Sequence, residues 1–428
     1  MQNNINNNKL GGKILASGGF GCVFSPALKC KNNNKREKNT VSKLMTLKNA
    51  NEEYNEIKNI RHKLVEIQNY TEYFLINNYT LCEPSKLTKT DLSNFNKCSA
   101  LKKQNLTRKN INNSLNKLLS LNMPYGGVTI EQFISNSKNY NHFKELNNHL
   151  IQLLKNGIIP MNKKNIYHSD IKGSNILLDH QDKNKSMIVR LIDWSLTTEY
   201  IPFKNNEFPH NWKNRPLQFN VPFSIILFTD MFVDKYSSFM EKNKQPTKEN
   251  LREFIKKYLI AWFNERGLGH FKYINRIIYM LFFHELESEN TRDFTSSTKS
   301  EHGHRNHGQD EYEEIKKYIE QKYSFTIIIN YLVEILVHFT KFRADGSLDL
   351  RFYLDNIFIK IIDVWGFIIS YIPLYELLFE NYHSLTKNQL VIFEKLKKIF
   401  LTYLYNPRIK PIELKDLENV LKEINNLL

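Results

Sequence analysis

The sequence predicts an α+β protein with a small β-rich N-terminal part and a larger, mainly helical C-terminal part. Three observations predict it. Residues 11–24, GGKILASGGFGCVF, set glycines between apolar residues, the pattern of two strands joined by a tight turn. A short strand, TVSKLM (40–45), precedes NANEEYNEIKNIRHKLVEI (49–67), where Tyr54, Ile57, Ile60 and Leu64 recur at the spacing of an amphipathic helix. Late in the chain, FTIIINYLVEILVHF (325–339) and IFIKIIDVWGFIISYIPLYELLF (357–379) are apolar enough for buried helices.

Between these landmarks each stretch has its own pattern. Residues 68–115, rich in Asn, Lys and Thr with weak periodicity, predict loops and short elements inserted in the N-terminal part. LLSLNMPYGGVTIEQFI (118–134) predicts a strand, a Pro/Gly turn and the start of a helix. HFKELNNHLIQLLKNGI (142–158) predicts a helix, and SMIVRLIDWS (186–195) a β-branched strand that ends in an aspartate. Residues 287–314, nearly free of apolar side chains, predict a mobile loop. Its His302, His304 and His307 lack a cysteine or carboxylate cage, so a solvated loop is expected there rather than a metal site.

The balance of 60 Lys+Arg against 44 Asp+Glu gives a net charge of +16, which attracts anions: nucleotides, acidic protein segments, nucleic acid or headgroups. The basic residues are spread along the chain without interleaved aromatics, so no specific nucleic-acid site is expected. Cys22, Cys30, Cys82 and Cys98 lack paired zinc-site spacing and are too few for a disulfide framework in a chain of 428 residues, which predicts a reduced, cytosolic setting. The N-terminus, MQNNINNNKLGG, lacks the apolar region of a secretory signal. Glu334, Lys360 and Asp363 interrupt the two long apolar runs, which fall short of the roughly 18 uninterrupted apolar residues of a span, so no membrane span is expected.

The chemistry concentrates in YHSDIKGSNILLD (167–179). Phosphoryl transfer needs a carboxylate to orient the acceptor hydroxyl, cations to offset charge on the moving group, and oxygen ligands for the metal. Asp170 can orient, Lys172 can offset charge, and Asn175 with Asp193 can supply metal ligands. The run His168, Asp170, Lys172, Asn175 resembles the catalytic loop of protein kinases in both spacing and residue type.

That resemblance implies further parts. Ala16-Ser-Gly18-Gly-Phe20-Gly21-Cys-Val23 resembles the glycine-rich loop, with alanine for the first glycine; Phe20 caps the tip and Val23 packs on adenine. Lys43 takes the place of the lysine that pairs the α- and β-phosphates, and its helix partner is Glu53 or Glu56. Asn122-Met123-Pro124-Tyr125-Gly126-Gly127 resembles the adenine-holding hinge, Pro124 keeping only its carbonyl acceptor. Asp193-Trp194-Ser195 stands where the family has Asp-Phe-Gly; serine for the flexible glycine puts a flip of this segment in doubt. His168 and Asp363 support the loop, Asp363 bracing its backbone from a buried helix. Arg215 to Pro222 stand as the equivalent of the peptide-groove floor.

The resemblance thus implies a two-lobed protein-kinase-like fold: an N-lobe over residues 11–125 and a C-lobe over 126–428. The unusual distance from Asp193 to Asp363 implies an insertion at about 225–350. The combined motifs are most similar to the divergent serine/threonine protein kinases of large cytoplasmic DNA viruses. The implied ligands are ATP with magnesium or manganese and a protein substrate, for which the basic surface permits an acidic one. The implied location is the host cytoplasm or the virion. Ser169 fills the place of an arginine that pairs with a phosphorylated activation loop, which predicts activity independent of phosphate at Ser195, Thr197, Thr198 or Tyr200. Two alternatives stand beside this one: a small-molecule kinase of the aminoglycoside or choline type, toward which Trp194 leans, and a catalytically silent scaffold.

Overall fold

The computed structural model describes residues 12–33, 35–37, 39–137, 140–179, 187–204, 207–213, 215–283, 317, 320–339 and 349–428. The expected loop at 287–314, with His302, His304 and His307, lies outside the described residues. The chain divides into two compact units, Met1–Thr129 with Ile176–Ser195, and Ile130–Asn175 with Leu196–Leu428. The first is built on a small antiparallel sheet and the second is mostly helical, so the content is mixed α+β.

In the first unit, β1 (Lys13–Ser17), β2 (Gly21–Ser25), β3 (Thr40–Thr46), β4 (Thr80–Cys82) and β5 (Leu118–Pro124) form one antiparallel sheet in the order β1-β2-β3-β5-β4. The β1–β2 turn closes through the Gly18 N–H, which donates to the Gly21 carbonyl at 2.9 Å. Gly21 has no room for a side chain, because a Cβ there would sit 2.7 Å from the Leu44 carbonyl oxygen and 2.3 Å from Met45 Cγ. β3 passes straight into α1 (Leu47–Leu64), capped by the Thr46 hydroxyl, which accepts the Asn49 N–H at 3.4 Å. Ala50, Glu53, Ile57, Ile60 and Leu64 form the buried face of α1, and the cations of its last turn complement the helix dipole.

Residues 68–115 do hold short elements, yet they form a packing layer rather than a loose insertion. Leu87, Leu92, Phe95 and Ile111 share one core with Ile14, Phe24 and Leu44 of the sheet. Asn94 closes the open edge of β1: its side chain accepts the Ile14 N–H and donates to the Ile14 carbonyl, both at 3.0 Å. The cysteine expectation is corrected here, because all four are paired, as Cys22–Cys98 and Cys30–Cys82. The partners lie 76 and 52 residues apart, so only the folding of this layer onto the sheet reveals the pairing.

The second unit is assembled around buried helices. Both apolar runs lie in the core: Tyr323–Phe339 forms one helix, and Ile359–Ile369 and Ile372–Glu380 belong to a longer helical run, Leu350–Glu380. That run is long and apolar enough to cross a membrane, but 89% of its most apolar stretch is buried inside the protein. The helix expected at 142–158 begins at Tyr140 and continues to Lys163 through a π-helical turn at Leu153–Ile158, just ahead of Pro160. The stretch at 225–350 contributes helices Asp230–Lys242, Lys248–Arg266 and Phe271–Leu281, whose Trp262, Phe263 and Ile277 are fully or nearly fully buried. Its described part is therefore core structure of this unit.

Candidate active site

The sheet register decides which residues of the first unit share a face. Directly paired residues point to the same side, and so do residues two apart on one strand. Ala16 pairs with Val23, Val23 with Lys43, and Val41 with Met123, so Ala16, Val23, Lys43 and Met123 stand on one face. Phe20 is exposed at the tip of the β1–β2 turn. Just past β5, the Tyr125 N–H donates to Asn39 O at 2.8 Å. Next to it, Gly126 is buried where a Cβ would come within 2.7 Å of Leu177 and 2.8 Å of Leu75.

Lys43 donates to both Glu53 oxygens, at 2.8 and 2.7 Å, and to Asp193 Oδ1 at 3.2 Å. Of the two candidate glutamates, Glu53 makes the pair, because it lies on the buried stripe of α1 whereas Glu56 is half-buried to one side. Burial pushes the Lys43 ammonium down, but Asp193 and Glu53 outweigh it and hold the group above the ordinary lysine value. Burial pushes Glu53 up, Lys43 draws it back and Asp193 pushes it up again. The doubled hydrogen bond is the geometry of an ionised pair, and that is the state we assign. Glu56 is pushed up to about 7, first by burial and then by Glu53 and Glu52. The carboxylates differ in access: Asp193 keeps 31% of its side chain exposed and Glu53 only 5%.

Asp193 lies beyond the strand Ile188–Leu191, with φ at +64°. The Ser195 hydroxyl donates to Asp193 Oδ1 at 2.9 Å and ties the segment down. Trp194 is fully buried with its ring edge-on to Phe74, which belongs to the segment bridged to Leu191. Tyr79, which sequence reasoning missed, is a phenol held far above its ordinary value by burial and by Glu53 and Asp193.

In the second unit, the Asp170 carboxylate accepts from Lys172 Nζ at 2.9 Å and Asn175 Nδ2 at 2.8 Å on one oxygen. On the other it accepts from Asn220 Nδ2 at 2.8 Å and Arg215 Nη2 at 3.4 Å. Asn175 Nδ2 also donates to the Asp170 carbonyl at 2.8 Å, which leaves Oδ1 of Asn175 uncommitted to Asp170. Asp363 receives the loop's backbone: the Ser169 N–H at 2.8 Å, the His168 N–H at 2.9 Å and Asn162 Nδ2 at 2.7 Å. Burial pushes Asp363 up, while His168 and these three donors pull it back. His168 is fully buried, and its Nδ1 accepts the Asp170 N–H at 3.3 Å. Gly366 lets the Asp363 helix approach this loop, since a Cβ there would lie 2.6 Å from the Ile171 carbonyl oxygen.

Backbone strain marks the same two segments. Of the eight described non-glycine residues with positive φ, five are asparagines, the residue type that tolerates it. The other three are Ser169, Asp193 and Phe203. Two of these lie in the candidate catalytic segments, where strain of order 1–3 kcal/mol per residue is usually held for function.

Arg215 and Asn220 were not read as partners of Asp170. The available signal was a polar residue inside an apolar run, QFNVPFSIILF, where burial demands a hydrogen-bond partner. Among the described residues there is no cluster of three or more His, Cys, Asp or Glu that could hold a metal ion. No protein-family model matches the chain, and no curated protein does either.

Proposed function

We propose that the chain is a two-lobed protein-kinase-like phosphotransferase, which moves the γ-phosphoryl group of ATP to serine or threonine hydroxyls of a protein. The observation that carries this reading is the buried Lys43, gripped by both oxygens of Glu53 and also reaching the partly exposed Asp193. Packing gives no reason to bury a lysine between two acids, and apolar residues of similar volume would do as well or better. An ammonium fixed in this way is held in place by Glu53 and can turn to phosphate oxygens by giving up its longer bond to the partly exposed Asp193.

Carboxylate and amide oxygens suit a hard divalent cation. Magnesium is usually held by one or two carboxylates together with substrate phosphates, so a full protein cage is not required. In this reading Asp193 and Asn175 would hold the metal, magnesium or manganese, which would neutralise polyphosphate charge. Asp170, immobilised on both oxygens, orients the acceptor hydroxyl and takes its proton. The hydroxyl oxygen bonds to the γ-phosphorus as the bond to the bridging oxygen of ADP breaks, and Lys172 offsets the charge on the transferred group. Lys172 favours a protein acceptor over the aminoglycoside or choline alternative. Of the two locations the resemblance implies, the paired cysteines favour the virion, because cytosolic thiols are kept reduced.

The test is incubation of purified protein with γ-labelled ATP, magnesium and a panel of casein, myelin basic protein, aminoglycosides and choline, with Asp170→Ala as control. Label on protein serine or threonine that disappears in the variant is the expected result. Label on small molecules alone transfers the chain to the rival class. ATP binding without transfer makes it a scaffold.

A further inference from the structure

Asp170 is held by two residues that the catalytic-loop motif does not contain. Arg215, 4% exposed, donates through Nη1 to the Ser169 carbonyl and through Nη2 to Asp170 Oδ1 at 3.4 Å. Its Nε is fixed on Gln218 Oε1 at 2.7 Å, so the planar fork has one orientation. Asn220, fully buried, donates to the same Asp170 oxygen at 2.8 Å and to the Ile171 carbonyl at 3.4 Å.

The segment carrying both is bolted independently of them. Trp365, on the helix that bears Asp363, donates through Nε1 to the Phe219 carbonyl at 2.9 Å. The His270 N–H donates to the Leu217 carbonyl, also at 2.9 Å. Trp212 Nε1 donates to Ser169 Oγ at 3.0 Å, so position 169 is met from this side twice. None of these contacts uses a phosphorylatable group of residues 195–200.

Asn220 also carries a cost. A carboxylate only accepts, so the amide must turn Nδ2 toward Asp170. Its Oδ1 is then buried without a partner among the described residues. Stability alone selects against such an acceptor, and a leucine of similar size has no polar atom to strand. The group is placed for Asp170.

We infer that Arg215 and Asn220 are positioning residues acting through Asp170. Arg215 brings from a later segment the cation that position 169 lacks, and the two together fix the carboxylate without activation-loop phosphate. This inference rests on the phosphotransfer reading of Asp170.

The test compares wild type, Asn220→Leu, Arg215→Lys and Asp170→Ala in steady-state transfer, before and after phosphatase treatment, with melting temperature measured alongside. Asn220→Leu is expected to keep or raise the melting temperature, leave KM for ATP within about twofold and lower kcat about 10- to 100-fold, the scale of a misplaced catalytic group. Arg215→Lys, which keeps the charge without the fork, is expected to lose kcat to a smaller extent with KM unchanged. Phosphatase is expected to leave wild-type kcat unchanged. Should wild type transfer phosphate and Asp170→Ala fail to, while Asn220→Leu and Arg215→Lys retain full kcat, the positioning role is wrong and the phosphotransfer reading stands. A large loss of wild-type kcat on phosphatase treatment overturns the phosphate-independent part. No Asp170-dependent transfer in wild type overturns the phosphotransfer reading and this inference with it. If Asn220→Leu does not fold, Arg215→Lys decides alone.

Discussion

In the first unit three ionised side chains hold one another: Lys43 sits among Glu53 and Asp193, and removing the lysine leaves two carboxylates without their cation. In the second, one carboxylate is held by donors from four places in the sequence, and the loop beneath it hangs on Asp363. The first arrangement depends on its one cation, so loss of Lys43 is expected to lower stability and ligand affinity together. The second has redundant donors, so single losses are expected to misplace Asp170 without unfolding the unit.

The largest effects separate the two clusters most sharply. Asp170→Ala is expected to reduce kcat by about 1,000-fold or more, the size of effect seen when a preorganised transition-state contact is lost, and it also lowers the melting temperature because the buried Arg215 and Asn220 lose their common acceptor. Wild-type turnover by that variant would break the comparison on the second side.

Lys43→Met is expected to act mainly on stability. It leaves Glu53 and Asp193 facing each other, and breaking a buried pair costs about 3–5 kcal/mol. Urea denaturation of Lys43→Met with and without Glu53→Leu measures this: the double variant should recover much of the loss. If the single variant is as stable as wild type, the pair is not the buried charge system described.

Next comes the disulfide layer, which belongs to the first unit alone. Closing loops of 76 and 52 residues, the two bridges are each worth about 2–4 kcal/mol, mostly by restricting the unfolded chain. A dithiol reductant should therefore lower the melting temperature of the first unit and leave the second unaffected. Alkylation of the unreduced native protein should label none of the four cysteines.

The smallest effect is a titration. Glu56 is an ordinary carboxyl when unfolded and is pushed up to about 7 when folded. Between those values the folded chain holds the extra proton, so this group favours folding fully at low pH, and the benefit is lost as pH rises through about 7. Glu56→Gln should match wild type at about pH 4 and below, under the ordinary carboxyl value, and exceed it in stability at pH 8. Because the side chain is half-exposed, solvent screening limits the gain to on the order of 1 kcal/mol. Equal stability of the two proteins at pH 8 would remove Glu56 from the electrostatics of the Lys43 cluster.

Much of this was legible because it is local. Turn glycines, the strand with Lys43, the stripe of Ile57, Ile60 and Leu64, and the spacing of Asp170, Lys172 and Asn175 all act over a few residues, where backbone geometry leaves few choices. The choice of Glu53 was half-legible, since it shares a stripe with Ile57 and Ile60, but only the continuous passage from β3 into α1 brings it to Lys43 ten residues away. Arg215, Asn220 and the cysteine pairs were not legible as partners. They meet groups between 45 and 76 residues distant, and such meetings follow from which layers pack together.

The sequence by itself determined the mixed architecture, the buried character of the late apolar helices and the residue types available for chemistry, because periodicity and side-chain chemistry are properties of short stretches. Only the tertiary structure decided that residues 68–115 are a disulfide-tied layer, that Lys43 pairs with Glu53, and that Arg215 meets the Ser169 carbonyl and the Asp170 carboxylate. Each depends on burial, which turns a polar side chain's need for a partner into a constraint that the folded chain alone can satisfy.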